Sequence, residues 1–172
     1  MSKIQLRAIE PFDIDLIYLW ENDHEVWEVS NTITPFSRYT LEQYILSAAS
    51  SDIYSAKQLR LMIDVCENES IKTVGTIDLF DFDPHHSRAG MGILIDGKER
   101  GKEYAKQALN KLIEYAFDTL QIHQLYCNIH KENERSLCLF QNAGFEIIGV
   151  KKDWLRIGNS YKDEYLLQLI RK

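Results

Sequence analysis

The stretch from 101 to 120, "GKEYAKQALNKLIEYAFDTL", constrains the fold more than any other. Ala105, Ala108, Leu109, Leu112, Ile113, Ala116, Phe117 and Leu120 recur at steps of three and four. Lys102, Glu103, Lys106, Asn110, Lys111 and Glu114 fill the other face. This periodicity predicts an amphipathic helix packed on one side. The apolar run "RAGMGILI" precedes it and "QLYCNIH" follows it. A strand–helix–strand unit over 88–130 requires two parallel strands and a right-handed crossover. Open α/β sheets bind ligands at the carboxyl ends of such strands, where the chain parts. The end of "GILI" is therefore the first place to look for a site.

The remaining patterns surround that unit. "KIQLRAI" alternates apolar and polar residues and reads as a strand. "FDIDLIYLWEND" and "TLEQYILSAAS" read as helices, the second with Thr40 as its N-cap. "QLRLMIDVC" and "TVGTIDLFDF" read as strands, with turns at "ENES" and "DPHHS". "NERSLCLFQNA" reads as a helix stopped by Gly144. "FEIIGV" and "WLRIG" read as extended, "GNS" as a hairpin turn and "YKDEYLLQLI" as the last strand. With no linker, repeat or low-complexity tract in 172 residues, the expectation is one mixed α/β domain spanning 1–172.

Composition narrows the function classes. The net charge of −6 argues against a nucleic-acid binder that works by bulk electrostatics, and it is compatible with a cationic partner. The three cysteines, Cys66, Cys127 and Cys138, are odd in number, form no C-x-x-C pair and lie in apolar runs. They read as reduced core residues of a cytoplasmic protein. "MSKIQLRAIEP" lacks the apolar core of a signal peptide, and no run approaches the ~18 apolar residues of a membrane span. The expectation is no membrane and no nucleic acid. His85 and His86 lack further ligands at metal-binding spacing, so they read as a turn and no metal is expected.

The first turn of a helix offers backbone N–H groups without internal partners, and the helix dipole adds positive charge there. A phosphate satisfies both. Lys98, Arg100 and Lys102 cluster at this turn in an otherwise acidic chain. The nucleotide P-loop G-x-x-x-x-G-K-[ST] and the dinucleotide pattern G-x-G-x-x-G are both absent.

Arg100-Gly101-Lys102-Glu103-Tyr104-Ala105 resembles the [QR]-x-x-G-x-[GA] phosphate loop of the GNAT N-acetyltransferase superfamily. Asn133-Glu134-Arg135-Ser136 resembles the N-x-x-[SA] start of that family's later helix, which ends here at Gly144-Phe145. The close "LRIGNSYKDEYLLQL" resembles the branch that holds spermidine acetyltransferases and RimJ/RimL-like protein N-acetyltransferases. The resemblance covers nearly the whole chain. It implies a mostly antiparallel sheet around the central parallel unit, and acetyl-CoA as co-substrate. The pyrophosphate would take the N–H groups of Arg100, Gly101, Lys102, Glu103, Tyr104 and Ala105. The pantetheine arm would pair with Ile93, Leu94 and Ile95. Asn133, with Ser136 and Phe140 within roughly 60° of it around the helix axis, would face the cofactor.

Three positions depart from that pattern. Glu103 stands at the usual glycine, where it costs backbone freedom and close approach; its carboxylate would repel a phosphate if it pointed inward, and favours the helix N-terminus if it points outward. Phe140 stands where many members carry a tyrosine that protonates the departing thiolate. Gly90 stands where many carry a glutamate base. A base must then come from "TIDLFDFD", which offers Asp78, Asp81 and Asp83. Asp78 falls at the acidic substrate contact of the polyamine branch and is the favoured base, acting directly or through a water.

The N-terminal helices should wall the acceptor site. They carry Glu21, Asp23, Glu25 and Glu28 with Trp20 and Trp27, a set suited to an organic cation. Glu28, Asp78 and Asp81 are the expected substrate contacts. The expected reaction is direct attack by a primary amine in a ternary complex. The acceptor would be a polyamine such as spermidine, or a protein N-terminal amine. The alternative from another class is an acyl-CoA-binding sensor without turnover. The resemblance also leaves a homo-oligomer among the expectations.

Overall fold

The computed structural model describes residues 3–67 and 70–172. Among these residues seven strands form a single sheet: β1 (Lys3–Ala8), β2 (Leu59–Glu67), β3 (Ser70–Asp83), β4 (Arg88–Ile95), β5 (Gln124–His130), β6 (Glu146–Ile157) and β7 (Ser160–Ile170). Their order is β1-β2-β3-β4-β5-β7-β6. The β4–β5 pair is parallel and the others are antiparallel. The mixed α/β architecture, mostly antiparallel around one parallel strand–helix–strand unit, matches the sequence reading.

The crossover is α5 (Tyr104–Glu114). It begins later than the periodicity indicates, because Gly101 and Glu103 both take left-handed backbone angles (φ 80° and 61°) that a right-handed helix cannot continue. At its other end it widens into a π-turn over Tyr115–Thr119. Ala108, Leu109 and Leu112 pack on Leu79, Met91 and Leu125 of the sheet, all essentially inaccessible to water. The α6 helix (Glu134–Asn142) adds Phe140 to the same layer.

The opposite face is covered by α1 (Ile14–Glu21) and α3 (Arg38–Ser50), whose Ile17, Trp20, Leu41 and Ile45 enclose Met62 and pack on Leu94. Because strand side chains alternate, β3 sends Ile77 and Leu79 toward α5 and turns Asp78 and Phe80 to the α1–α3 side.

Several local expectations are corrected. Thr40 is not the N-cap of α3. Ser37 holds that position with extended angles, and its Oγ accepts the Thr40 N–H at 3.0 Å. The first predicted helix breaks after Glu21, and α2 (His24–Ser30) restarts beyond it, capped by the Asp23 carboxylate. A one-turn α4 (Ile53–Ala56), absent from the sequence reading, is capped by Asp52. "FEIIGV" and "WLRIG" belong to one strand, β6, interrupted by two register shifts. In the "ENES" turn, Asn68 and Glu69 lie outside the described residues.

Candidate active site

The β4 and β5 strands are paired only over Arg88–Gly90 and Gln124–Tyr126. β4 then continues to Ile95 beside β3, and β5 continues to His130 beside β7. From Met91 to Ile95 the edge of β4 that faces β5 is unpaired, which opens a wedge between two central strands. Ile93, Leu94 and Ile95 line one side of it.

The loop above the wedge is fixed by two acidic residues. The Asp96 carboxylate accepts the Lys98 N–H at 2.9 Å and Trp20 Nε1–H at 3.0 Å. These bonds hold its carboxyl below the usual range. Glu99 is buried, with Lys72 Nζ at 2.5 Å and Lys102 Nζ at 2.9 Å. Their ammonium groups depress its carboxyl likewise. The sequence placed Lys98, Arg100 and Lys102 together as an anion-binding set. Lys102 in fact leans on Glu99, and Arg100 donates to the Ile95 carbonyl and meets Glu25 of α2 at 3.4 Å.

Glu103 is the N-cap of α5, and no side chain caps that turn. Its own carboxylate points outward, 76% exposed, 3.9 Å from Lys106. The Tyr104 ring is buried in the core, so this residue can offer a ligand only its backbone N–H. The uncapped first turn therefore keeps its N–H donors for an anion, as a pyrophosphate group requires.

Asn133 accepts the Ser136 N–H at 3.2 Å, so these two residues are joined as the cap of α6. Phe140 shares their helix but not their surroundings: it is 3% exposed and packs edge-on against Phe145, ring centroids 5.1 Å apart.

On the α1–α3 face, Asp78 lies beneath a mixed-charge cluster. Arg60 on β2 bridges Glu21 at 2.7 Å and Asp78 at 3.7 Å. The Arg60 guanidinium also lies 5.3 Å from the Tyr44 ring centre. Burial raises the Asp78 carboxyl above the usual range, against the lowering pull of Arg60 and Gln58. A Cβ on Gly92 would sit 3.5 Å from Asp78 Oδ1, so the carboxylate lies directly against β4. Arg60 Nε and Tyr44 Oη are buried without a hydrogen-bond partner. Sequence reasoning missed both residues, since nothing in the spacing of Tyr44, Arg60 and Asp78 places them together.

The three expected substrate contacts are spread out. Glu28 is exposed on α2. Asp81 occupies the left-handed β3 bulge (φ 48°) and accepts from the Tyr126 hydroxyl at 3.4 Å. Only Asp78 belongs to the Arg60 cluster. Gly90 also has a physical explanation: a Cβ there would lie 2.2 Å from the Phe80 ring, so a larger side chain requires that ring to move. Phe80 fills the space that a glutamate at position 90 would need.

Among the described residues no cluster of three His, Cys, Asp or Glu is arranged to hold a metal ion, and no helix is long and apolar enough to cross a membrane. His85 and His86 stack on each other in the β3–β4 turn. Burial pushes the Cys127 thiol up to about 12, far from a nucleophile's range.

Comparison with known proteins gives the family and the fold. Residues 3–146 match the family model described as an acetyltransferase (GNAT) domain. A spermidine N(1)-acetyltransferase of Escherichia coli K12 is 25% identical over 165 residues, covering 93% of this chain and 82% of the relative. The [ribosomal protein uS5]-alanine N-acetyltransferase of the same organism is 35% identical over 79 residues, 46% of this chain and 41% of the relative. The crystal structure of spermidine N-acetyltransferase from Vibrio cholerae in complex with CoA and spermine superposes with a TM-score of 0.88. It covers 97% of this chain and 95% of that one, at 22% identity.

Proposed function

The chain belongs to the acetyltransferase (GNAT) domain family, and from that premise we propose that it transfers the acetyl group of acetyl-CoA to a primary amine by direct attack. The observation that carries this reading is the parting of β4 from β5 after Gly90 and Tyr126, directly below the uncapped first turn of α5. Acetyl-CoA is the co-substrate and supplies an activated thioester. The N–H groups of residues 100–105 receive its pyrophosphate, and the open edge at Ile93, Leu94 and Ile95 receives its pantetheine amides. Asn133 and Ser136 border the cofactor from α6. Phe140 supports that helix from the core.

The acceptor lies on the α1–α3 side, over Asp78. An ammonium cannot attack, so its proton must leave first. Asp78 is suited to accept it, because burial has already raised its carboxyl toward that of a useful base. The amine then attacks the thioester carbon, and the backbone N–H groups of Ile93–Ile95 stabilise the oxyanion. Holding both substrates in one wedge supplies much of the acceleration. With Cys127 buried and protonated, a ternary complex is preferred to an acetyl-cysteine intermediate.

The acceptor classes this reading favours are polyamines such as spermidine and protein N-terminal amines, the two acceptor types named among the relatives. Glu28 and Asp81 are proposed to hold the distal cationic groups of a polyamine. A thiol-release assay with acetyl-CoA and a panel of amines tests the function. Initial rates for a productive amine should give intersecting double-reciprocal lines. Tight acetyl-CoA binding with no thiol released by any amine would instead identify a sensor.

A further inference from the structure

We propose that His130 is the general acid that protonates the departing CoA thiolate, the role that Phe140 has no hydroxyl to fill. The inference rests on the acetyl-transfer reading above.

Three observations carry it. The first is position. His130 ends β5, four residues past the last β4–β5 pair at Gly90 and Tyr126, as Leu94 does on β4. The two residues therefore stand at matching positions on the two strands that border the wedge, where the reading above places the thioester. The second is an orphaned atom. His130 is only 8% exposed, and its Nε2 is shut off from water with no hydrogen-bond partner. Native folds rarely leave a buried polar atom unmatched, and those that do commonly reserve it for a ligand or a water. The third is elimination. Tyr126 is engaged with Asp81, Tyr104 is in the core, the unmatched Tyr44 hydroxyl belongs to the Arg60 cluster on the acceptor side, and the aliphatic hydroxyl of Ser136 is a far weaker acid than an imidazolium.

Charged groups flank the ring on neighbouring elements. Glu164 is the direct cross-strand partner of His130 on β7, and Lys151 on β6 bridges that carboxylate at 2.9 Å. Glu132, just beyond the strand, is held ionised chiefly by Lys162 and also feels His130. Two carboxylates, each paired with a lysine, therefore flank the imidazole.

The step balances as follows. Asp78 takes one proton from the ammonium, and the nitrogen lone pair forms the C–N bond. The C–S bond breaks with its electron pair on sulfur, and the Nε2 proton of His130 passes to that sulfur. The second nitrogen proton is lost from the amide nitrogen, and the imidazole regains a proton once product departure opens the wedge to water. One proton is released to water as Asp78 resets.

The test reads the sulfur directly and needs no acceptor amine. The protein with CoA bound is titrated while the ultraviolet absorbance of the thiolate is followed. Beside His130, the bound thiol should ionise at lower pH than the ~8.5 of an ordinary thiol. His130→Gln should return it to that value while CoA stays bound. Bound CoA that ionises like free CoA in the unaltered protein would overturn the proposal, whether or not the variant folds. In turnover, His130→Gln should lower kcat about 10²-fold. It should leave KM for acetyl-CoA within about twofold and abolish the fall in rate at high pH. A kcat within about twofold of the parent would also overturn it. Failure of every amine to release thiol would refute the transfer reading, while the thiolate titration would still judge His130.

Discussion

Two arginines, each set between two carboxylates, show how this protein separates architecture from chemistry. Arg7 on β1 makes a two-pronged contact with Asp13 at 2.7 Å and a 2.8 Å bond with Asp64, and it also donates to Thr73. The remaining valences are closed: Asp13 caps the 3₁₀ turn at Pro11–Asp13 by accepting the Glu10 N–H, and Asp64 accepts the Thr73 hydroxyl. Arg60 has the same kind of partners, but its bridge to Asp78 is long at 3.7 Å. Its Nε and the neighbouring Tyr44 hydroxyl are both unmatched. A saturated network fixes a corner of the sheet. An unsaturated one keeps donors and a raised carboxyl available for a bound molecule.

Breaking the first cluster should have the largest effect. Arg7→Met would leave Asp13 and Asp64 buried and uncompensated, at a cost of about 3–5 kcal/mol in urea unfolding. A loss under ~1 kcal/mol would mean that this network holds nothing together. At the second cluster, Asp78→Asn should lower kcat about 10²-fold, equivalent to ~2.7 kcal/mol of barrier, with a much smaller change in stability. The sign of the pH effect follows from the raised carboxyl. The base works when ionised, so the parent rate should climb with pH through a value above the usual ~3.9 of aspartate. That acidic limb should vanish in the variant, and a retained limb would remove Asp78 from proton transfer. The smallest effect belongs to Glu103→Gly. Glycine relieves the left-handed strain at φ 61° but adds unfolded-state entropy, so stability should change by less than ~1 kcal/mol. KM for acetyl-CoA should fall severalfold as the backbone gains room, and an unchanged KM would show that Glu103 never hindered the cofactor.

What could be read from the sequence was local. Steps of three and four marked α5, alternation marked the strands, and the motifs at Arg100–Ala105 and Asn133–Ser136 set the two proposed cofactor segments on their elements. What escaped depends on contacts between distant positions. Arg7 and Asp64 meet only because β1 pairs with β2. Gly90 reads as a lost glutamate until Phe80 is found occupying the space. Helical geometry grouped Phe140 with Asn133 and Ser136, yet the packing of Phe145 decides that Phe140 is core. The isolation of His130 Nε2 carries no sequence signal, because an unmatched atom is recognised only when every neighbour is known.

The bond from Trp20 to Asp96, with the contact between Glu25 and Arg100, ties α1 and α2 to the loop that precedes α5. On the proposed reading, acceptor choice and donor grip therefore share parts, and they cannot diversify independently. A descendant adapted to a new amine can vary the outward positions of α1 and α2 freely, but it must keep the buried indole that steadies Asp96. Grafting those two helices from a relative with a different acceptor would succeed only if the indole, or another donor to Asp96, came with them.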